Sequence, residues 1–354
     1  MRTVLARQHG ESAQVTQIVL PGIVEPQALQ VRRLPRPMPA VGQVLLQMEA
    51  TGVSNAEVRM RRGIERDQPA FPFVPGFDVV GRVVEVGPSV SPRLIGRRYA
   101  AVVRTGGWAS HLVVPADLLI PVPEELDAAA VETVLSHGVI AWQMLHRVAA
   151  VPPGGIIVVL AADGGIGGSL VQLGRRAGLS VIAIAPPRDQ ESLRQQGAVA
   201  MNCWAPDLLE QVLAYSPDGV DAVFNHVGEE TLAKSWAGLR RGGTLVLYSS
   251  LSTNNDDDPR LGPSAKDAAR LRLWNLLPNG RRAHSFNLHS GQFRSGRQRQ
   301  QWWREDTGKV LQLLAENVLT PRIAARFPLS EADLALTLAE SPDLRGKVVI
   351  VPDA

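Results

Sequence analysis

The glycines at positions 164, 165 and 167 are the residues whose spacing points most directly to chemistry. They follow an apolar, β-branched run and open a helical pattern that continues to Arg176. Glycines at such a strand-to-helix turn allow a tight bend, close approach of the backbone to a phosphate, and close packing of helix on strand. The helix N-terminus adds amide N–H groups and its dipole. The turn therefore predicts a dinucleotide site, with contacts from Asp163, Gly164, Gly165, Ile166 and Gly167.

Asp163 places a carboxylate where the pyrophosphate should lie. At about 5 Å from a phosphate, with an effective dielectric constant near 20, its repulsion is ~3 kcal/mol, and less than about 1 kcal/mol if it is well solvated. Alternatively, its side chain accepts from backbone N–H groups as a helix cap and competes with phosphate for them. Either way, we expect weakened binding of the dinucleotide rather than complete loss.

The end of the next predicted strand favours NADPH over NADH. An acidic residue there would bind a ribose hydroxyl and repel a 2′-phosphate. The segment SVIAIAPPRDQESL instead has Pro186 and Pro187, followed by Arg188, whose guanidinium suits bidentate phosphate contact. Asp189 leaves a second interpretation open, in which it simply pairs with Arg188 at the surface.

These motifs sit in a chain long enough for two domains. The 354 residues begin with short β-branched segments bounded by Gly and Pro, which predict a compact, mostly antiparallel domain. From residue 128 onward, helix-like and strand-like segments alternate, which predicts a parallel sheet with helices on both faces. Near the C-terminus we predict a mobile polar loop at 252–263, a helix at 266–277, a strand at 283–288, a helix at 307–319 and a last strand at 346–352.

Composition excludes several classes of protein. One cysteine, Cys203, excludes a disulfide within the chain and a multi-cysteine zinc site. A net charge of +3 is too small to indicate nucleic acid binding, and we assign the arginine-rich part of 260–304 to a solvated helix face with a lid or dimer contact. No apolar run is long enough to cross a membrane, and the N-terminus lacks a signal-peptide core, so we expect a cytoplasmic protein.

Seven motifs together resemble the medium-chain dehydrogenase/reductase superfamily, and more narrowly its zinc-free quinone oxidoreductase and enoyl reductase branch. They are ATGVSNAEVRMRRG, PFVPGFDVVGRVVEVG, GGWASHLVVP, the glycine turn, FNHVGEETL, LRRGGTLVLYSS and GKVVIVP. The resemblance implies an α/β protein with a GroES-like β-rich substrate domain (1–124 and 286–354) and a Rossmann doubly wound domain (125–285). It also implies a homodimer joined through strand edges formed by AHSFNL.

The same resemblance implies hydride transfer without a metal. Zinc-containing relatives carry Cys and Gly-His-Glu ligands, whereas this chain has PGFDVVG at that place. NADPH would deliver hydride to an already electron-poor C=C bond of a small, apolar, conjugated molecule. Some residues depart from the branch: Glu65 replaces a tyrosine, Ile140 a threonine, Pro186 a serine and Cys203 a tyrosine.

The candidate catalytic residues are Glu65, Ser54, Asn55 and His137. A partly buried Glu65 would have a raised pKa and could protonate the product, although a solvent-exposed position is equally compatible with the sequence. Ser54 and Asn55 could hydrogen-bond a substrate carbonyl, and His137 could donate a proton or be a satisfied core residue. Further cofactor contacts are expected from Asn225, Val227 and Tyr248.

Two functions remain open at this point. The first is an NADPH-dependent reductase of an enone, polyenone or quinone, including a tailoring reductase or reductive cyclase of secondary metabolism. The second is a redox-dead relative that acts as a non-redox cyclase or binding scaffold. Asp163, Ile140, Pro186 and Cys203 favour the second.

Overall fold

The computed structural model describes residues 14–65, 68–248, 265–286, 296–341 and 344–353. Its strands are β1 (Gln14–Val19), β2 (Gln30–Pro35), β3 (Gln43–Val53), β4 (Asp78–Val86), β5 (Arg98–Val102), β6 (His111–Pro115), β7 (Ile120–Pro121), β8 (Ile156–Leu160), β9 (Ser180–Ala185), β10 (Val199–Asn202), β11 (Val220–Asn225), β12 (Leu239–Tyr248), β13 (Arg282–Phe286), β14 (Ile323–Pro328) and β15 (Lys347–Val351). Its helices are α1 (Asn55–Arg61), α2 (Ala128–Ser136), α3 (Gly138–Trp142), α4 (Gly165–Arg176), α5 (Pro187–Gln195), α6 (Leu208–Tyr215), α7 (Glu229–Ala237), α8 (Ala265–Trp274), α9 (Gly296–Ala315) and α10 (Ala332–Ala339).

The chain divides into two units at boundaries that differ from the expected ones. The first unit contains the described residues up to 63, those from 68 to 132, and those from 324 onward; the second contains 64–65 and 133–323. Helix α9 belongs to the second unit because Asp306, which is fully buried, accepts hydrogen bonds from Gln143 and Arg147. A division at residue 286 would separate these partners.

In the first unit, a β-rich fold encloses an apolar core. Its main sheet has the order β14-β15-β3-β4-β5-β7, with β6 also paired to β3, and the described pairings of β15, β3, β4, β5 and β7 are antiparallel. Strands β1 and β2 form a separate antiparallel hairpin. The predicted GroES-like, mostly antiparallel domain is confirmed.

In the second unit, six strands form a parallel sheet in the order β10-β9-β8-β11-β12-β13. The near-continuous apolar runs of β8 and β9 fit strands covered by helices on both faces. The strand order reverses between β8 and β11, and in such sheets ligands bind outside the carboxyl ends of the strands at this point. The predicted Rossmann fold is confirmed.

The C-terminal predictions are met in part. Strand β13 lies at the position of AHSFNL and forms an edge of the described sheet, and β15 is the predicted last strand. Helix α9 begins at Gly296, well before the predicted start at 307, because Arg and Gln side chains continue the helix without an apolar period. The predicted loop at 252–263 lies outside the described residues. No helix among the described residues is both long and apolar enough to span a bilayer.

A buried ionic cluster occupies the core of the first unit. The ammonium group of Lys347, 3% exposed, lies 3.3 Å from a carboxylate oxygen of the fully buried Glu132. Burial raises the pKa of Glu132, and the positive charge of Lys347 opposes that rise. Burial alone would lower the pKa of Lys347, but Glu132, Asp78 and Glu57 together raise it. Lys347 is therefore the cation that keeps these acids compatible with the core.

Replacing Lys347 with Met should destabilise the protein by about 3–5 kcal/mol at ~pH 8, because breaking a buried ion pair leaves an uncompensated charge. The raised pKa of Glu132 fixes the sign of the pH dependence. Stability from its neutral form is present at low pH and is lost as the pH rises through that pKa. The loss measured by urea unfolding should therefore be smaller at ~pH 5.5 than at ~pH 8.

The exposed Lys266 provides the control, since Lys266→Met should change the free energy of unfolding by no more than ~0.5 kcal/mol. The double variant Lys347→Met/Glu132→Gln should recover part of the loss. A loss that is equal at both pH values and unaffected by Glu132→Gln would contradict a charge effect.

Candidate functional site

The glycine turn connects β8 to α4 at the switch point of the sheet. Gly164 is the N-cap of α4, so no side chain at that position fills the end of the helix. A Cβ atom on Gly167 would lie 2.1 Å from the carbonyl oxygen of Ala161, and one on Gly165 would lie 2.1 Å from Nδ1 of His137. Gly167 thus permits close packing of α4 on the end of β8, and Gly165 accommodates the His137 ring.

The first turn of α4 is suited to bind an anion. The N–H groups of Gly165, Ile166 and Gly167 have no acceptor within the helix, as in any α-helix, and they point toward its positive dipole end. A Cβ atom on Gly164 would meet only the carbonyl oxygen of Ala161, at 3.3 Å. The predicted turn therefore has the geometry of a cradle for a diphosphate.

Asp163 stands beside this cradle in a cluster formed by the carboxyl ends of adjacent strands. Burial raises the pKa of Asp163, the charge of Asp189 raises it further, and Arg188 and Arg322 lower it. A hydrogen bond from its own backbone N–H also lowers it. The positive charges of Arg188 and Arg322 offset part of the repulsion that the Asp163 carboxylate would exert on a phosphate. The alternative in which the Asp163 side chain accepts from backbone N–H groups of α4 stays a prediction.

His226 and Tyr248 close the other side of this cluster. Their rings stack with centroids 5.1 Å apart, and Nδ1 of His226 lies 3.2 Å from the carbonyl oxygen of Tyr248. Burial lowers the pKa of His226, so the neutral ring can donate its Nδ1–H to that carbonyl oxygen. Burial, with a smaller contribution from Asp163, raises the pKa of Tyr248 and keeps the phenol protonated. The sequence analysis missed His226, although it lies between two residues that were selected.

A polar cavity of about 220 Å³ adjoins the glycine turn within the second unit. His137 and Asp163 line it, and so do two residues that the sequence did not single out as ligands, Asp189 and Arg322. The other lining residues are Thr133, Ala162, Gly164, Gly165, Gly168, Ser169, Gln172, Ser192, Leu193, Gln196, Thr320 and Pro321. Arg188 is absent from this lining; its side chain is 58% exposed and its Nε lies 3.6 Å from Asp189. The surface pairing considered from the sequence is thus present.

The side-chain amide of Asn225 is hydrogen-bonded inside the protein, to the loop and helix that follow β11. Its amide is fully buried, donates to the hydroxyls of Thr231 and Ser235 (2.9 Å each), and accepts from the N–H of Gly228 at 2.9 Å. Its side-chain amide thus shapes the loop after β11, and the expected contact of Asn225 with a cofactor stays a prediction. Val227, in the same loop, is half-buried against the apolar core of the sheet.

In the first unit, Ser54 and Asn55 begin α1. Ser54 is the N-cap: its Oγ accepts from the N–H of Ala56 at 3.2 Å and its hydroxyl hydrogen-bonds to Glu57. Glu57 is buried and also accepts from the N–H groups of Ser54 (2.8 Å) and Phe77 (2.9 Å). The hydroxyl proton of Ser54 is thus used inside the protein, whereas Asn55 is exposed.

Glu65 belongs to the second unit and is half-buried. Its predicted role as a proton donor stays a prediction. Among the described residues, no group of three or more His, Cys, Asp or Glu side chains is arranged to hold a metal ion.

The packing of the turn yields a first prediction for this site. Gly167→Ala should lower the free energy of unfolding by about 1–3 kcal/mol, because the new methyl group meets backbone rather than a movable side chain. Gly168→Ala is the matched control, since its Cβ would lie 3.7 Å from the carbonyl oxygen of Ala162. That change should be neutral or stabilise by up to ~1 kcal/mol, as expected for Gly→Ala within a helix. Equal effects in urea unfolding would contradict the close contact.

The charge of Asp163 yields a second prediction. Asp163→Asn should tighten binding of ADP, used as a diphosphate probe in calorimetry, by about 3- to 10-fold at ~pH 8. The advantage should shrink toward ~pH 5.5, because the wild-type carboxyl group becomes neutral as the pH falls through its raised pKa. Asp218→Asn, at an exposed turn, is the control and should not change binding. Weaker binding by Asp163→Asn at ~pH 8 would show that the carboxylate does not repel the probe.

Comparisons with known proteins agree with this architecture. Residues 40–124 match the alcohol dehydrogenase GroES-like domain family, and residues 205–350 match the zinc-binding dehydrogenase family. The human synaptic vesicle membrane protein VAT-1 homolog is 27% identical over 92% of this chain and 82% of its own length. The 2-haloacrylate reductase of a Burkholderia species is 28% identical over 89% of this chain and 92% of its own length.

Solved structures extend the comparison over nearly the whole chain. A mycobacterial quinone oxidoreductase is 26% identical, with a TM-score of 0.81 over 96% of this chain and 100% of the other. A mycobacterial protein in complex with NADPH is 25% identical, with a TM-score of 0.78 over the same shares. This chain belongs to the medium-chain dehydrogenase/reductase superfamily, in its quinone-oxidoreductase-like branch.

Proposed function

We propose that this protein is an NADPH-dependent, zinc-independent reductase that delivers hydride to an electron-poor C=C bond of an enone, polyenone or quinone. The observation that carries the proposal is the turn at residues 163–167, where a glycine N-cap and two closely packed glycines leave an anion cradle at the switch point of the parallel sheet. The similarity to a 2-haloacrylate reductase and to a protein solved with NADPH supports it.

The residues present fit a nicotinamide coenzyme. The N–H groups of Gly165, Ile166 and Gly167 would hold its diphosphate, and Arg188 stands near the end of β9, where a ribose 2′-phosphate is discriminated. His226 and Tyr248 form an aromatic wall at the ends of β11 and β12. When bound, the coenzyme supplies the hydride.

The protein must then stabilise and protonate the product. Hydride addition to the β-carbon of an activated alkene places negative charge on the carbonyl oxygen, which needs a hydrogen-bond donor. His137 packs on Gly165 at the start of α4 and is our candidate proton donor within the second unit, together with Glu65. Ser54 is a weaker hydrogen-bond donor for the substrate than its sequence motif suggests, because its hydroxyl group already hydrogen-bonds to Glu57.

A homodimer in the cytoplasm is part of the proposal. Strand β13 is an edge of the described sheet, and it follows the exposed apolar side chains of Leu273 and Leu276. A second copy pairing along this edge would cover both features. A single half-exposed cysteine is compatible with a reducing compartment.

The competing function is a redox-dead scaffold or non-redox cyclase, which the carboxylate of Asp163 beside the cradle favours. The two are separated by titrating NADPH while following tryptophan fluorescence, then measuring NADPH oxidation with a 1,4-quinone, a simple enone and a polyenone. We expect micromolar binding and oxidation with at least one acceptor class. The polyenone tests a tailoring role in secondary metabolism, since hydride addition there can trigger ring closure by Michael addition.

No fluorescence change at millimolar NADPH would overturn the reductase and favour the scaffold. Binding without turnover of any acceptor would leave the coenzyme site intact and contradict the redox role. Adding a chelator to an active sample checks the metal-independence directly, and we expect no loss of activity.

A further inference from the structure

Two arginines converge on one carboxylate beside the glycine turn. Nε of Arg188 lies 3.6 Å from Oδ2 of Asp189, and Nη1 of Arg322 lies 3.8 Å from Oδ1 of the same residue. The carboxylate is 12% exposed, whereas the two guanidinium-bearing side chains are 58% and 57% exposed. Each arginine therefore faces a different oxygen of an inward-facing acid and keeps its outer side open to solvent.

Arg322 comes from a distant part of the chain and is held in place by α4. The amide of Gln172 accepts from the N–H of Thr320 at 2.8 Å and donates to its carbonyl oxygen at 3.3 Å. This two-way contact fixes the segment Thr320–Arg322 over the helix whose first turn forms the diphosphate cradle. Arg322 thus lines the cavity that contains Asp163 and Gly164.

The contacts of Asp189 with Arg188 and Arg322 are long for ion pairs. At 3.6 Å and 3.8 Å, both contacts are longer than charge-assisted hydrogen bonds, which are about 2.7–2.9 Å. Each contact joins a largely exposed guanidinium group to a carboxylate that is 12% exposed, so water and ions can reach the arginine side of the pair. A phosphate monoester carries about two negative charges and three acceptor oxygens, and so competes well against one carboxylate for two guanidinium groups.

We propose that Arg188 and Arg322 form a two-guanidinium receptor for the ribose 2′-phosphate, and that Asp189 occupies it as an internal anion when no phosphate is bound. This inference rests on the proposed function for the coenzyme itself. It adds Arg322, some 130 positions beyond Arg188 in the sequence, to the residues that select the coenzyme. It also assigns Asp189 the role of setting how strongly NADPH is preferred over NADH.

The test uses two probes that differ only by the phosphate in question, adenosine 2′,5′-bisphosphate and AMP, with calorimetry on the full chain. Arg322→Ala should weaken binding of the bisphosphate about tenfold and leave binding of AMP unchanged, because only the 2′-phosphate loses a charge-assisted contact. Arg322→Lys should recover part of the loss, since it keeps the charge without the planar fork. Asp189→Asn should tighten the bisphosphate by roughly three- to tenfold by releasing both arginines.

Arg194→Ala is the matched control. Arg194 lies on α5, as Arg188 does, is 51% exposed, and contacts the exposed Glu191 and the side chain of Gln190, so its loss should affect neither probe. An Arg188→Ala/Arg322→Ala double variant should bind the bisphosphate no better than AMP. Circular dichroism and thermal unfolding of each variant check that folding is retained.

Three outcomes would overturn the receptor. If Arg322→Ala weakens both probes equally, Arg322 acts on the shared adenosine monophosphate part. If Asp189→Asn leaves the affinity for the bisphosphate unchanged or lowers it, Asp189 does not compete with the phosphate for the arginines. If wild-type protein binds ADP but does not distinguish the bisphosphate from AMP, the receptor fails while the diphosphate cradle survives. Failure to bind ADP, AMP and the bisphosphate overturns the proposed function as well, so the two failures are distinguishable.

Discussion

The contact of α4 with the end of β8 is the constraint on which the candidate site depends. Only a residue without a side chain fits at position 167, where a methyl group would meet the carbonyl oxygen of Ala161 at 2.1 Å. That close approach brings the positive end of the helix to the carboxyl edge of the sheet, where the strand order reverses between β8 and β11. Asp189, in the first turn of α5 after β9, and His226, directly after β11, lie at this edge, where Tyr248 ends β12.

Charge at this edge is balanced by long-range pairing rather than by solvent alone. Asp163 and Asp189 are acidic neighbours, and Arg188 and Arg322 approach them from two separate parts of the chain. An acid beside an anion cradle is usually unfavourable, but two nearby guanidinium groups reduce its electrostatic cost. The acid at 163 and the proline at 186 are therefore accompanied by two positive charges near the turn, those of Arg188 and Arg322.

Local patterns predicted the fold well and the site only in part. The glycine spacing and the β-branched runs indicate a βα turn and a parallel sheet, and both follow from short-range geometry. Arg322 carries no local signal, since its place is set by the contact of Thr320 with Gln172 across the fold. The motif around Ser54 predicts a site residue, but the hydrogen bond of its hydroxyl group to Glu57 follows from the folded structure and not from the motif. The start of α9 was missed because polar residues there carry no apolar period.

The position of β15 has a consequence for how the protein is made. This strand lies between β14 and β3 in the sheet of the first unit, and it begins with Lys347 near the end of the chain. During synthesis, the acids at 57, 78 and 132 emerge long before the ammonium group that compensates them, so the front of the chain has to wait while the parallel-sheet unit, complete by residue 323, can already fold. Deleting β15, which carries Lys347, would therefore cost an entire unit rather than a single strand.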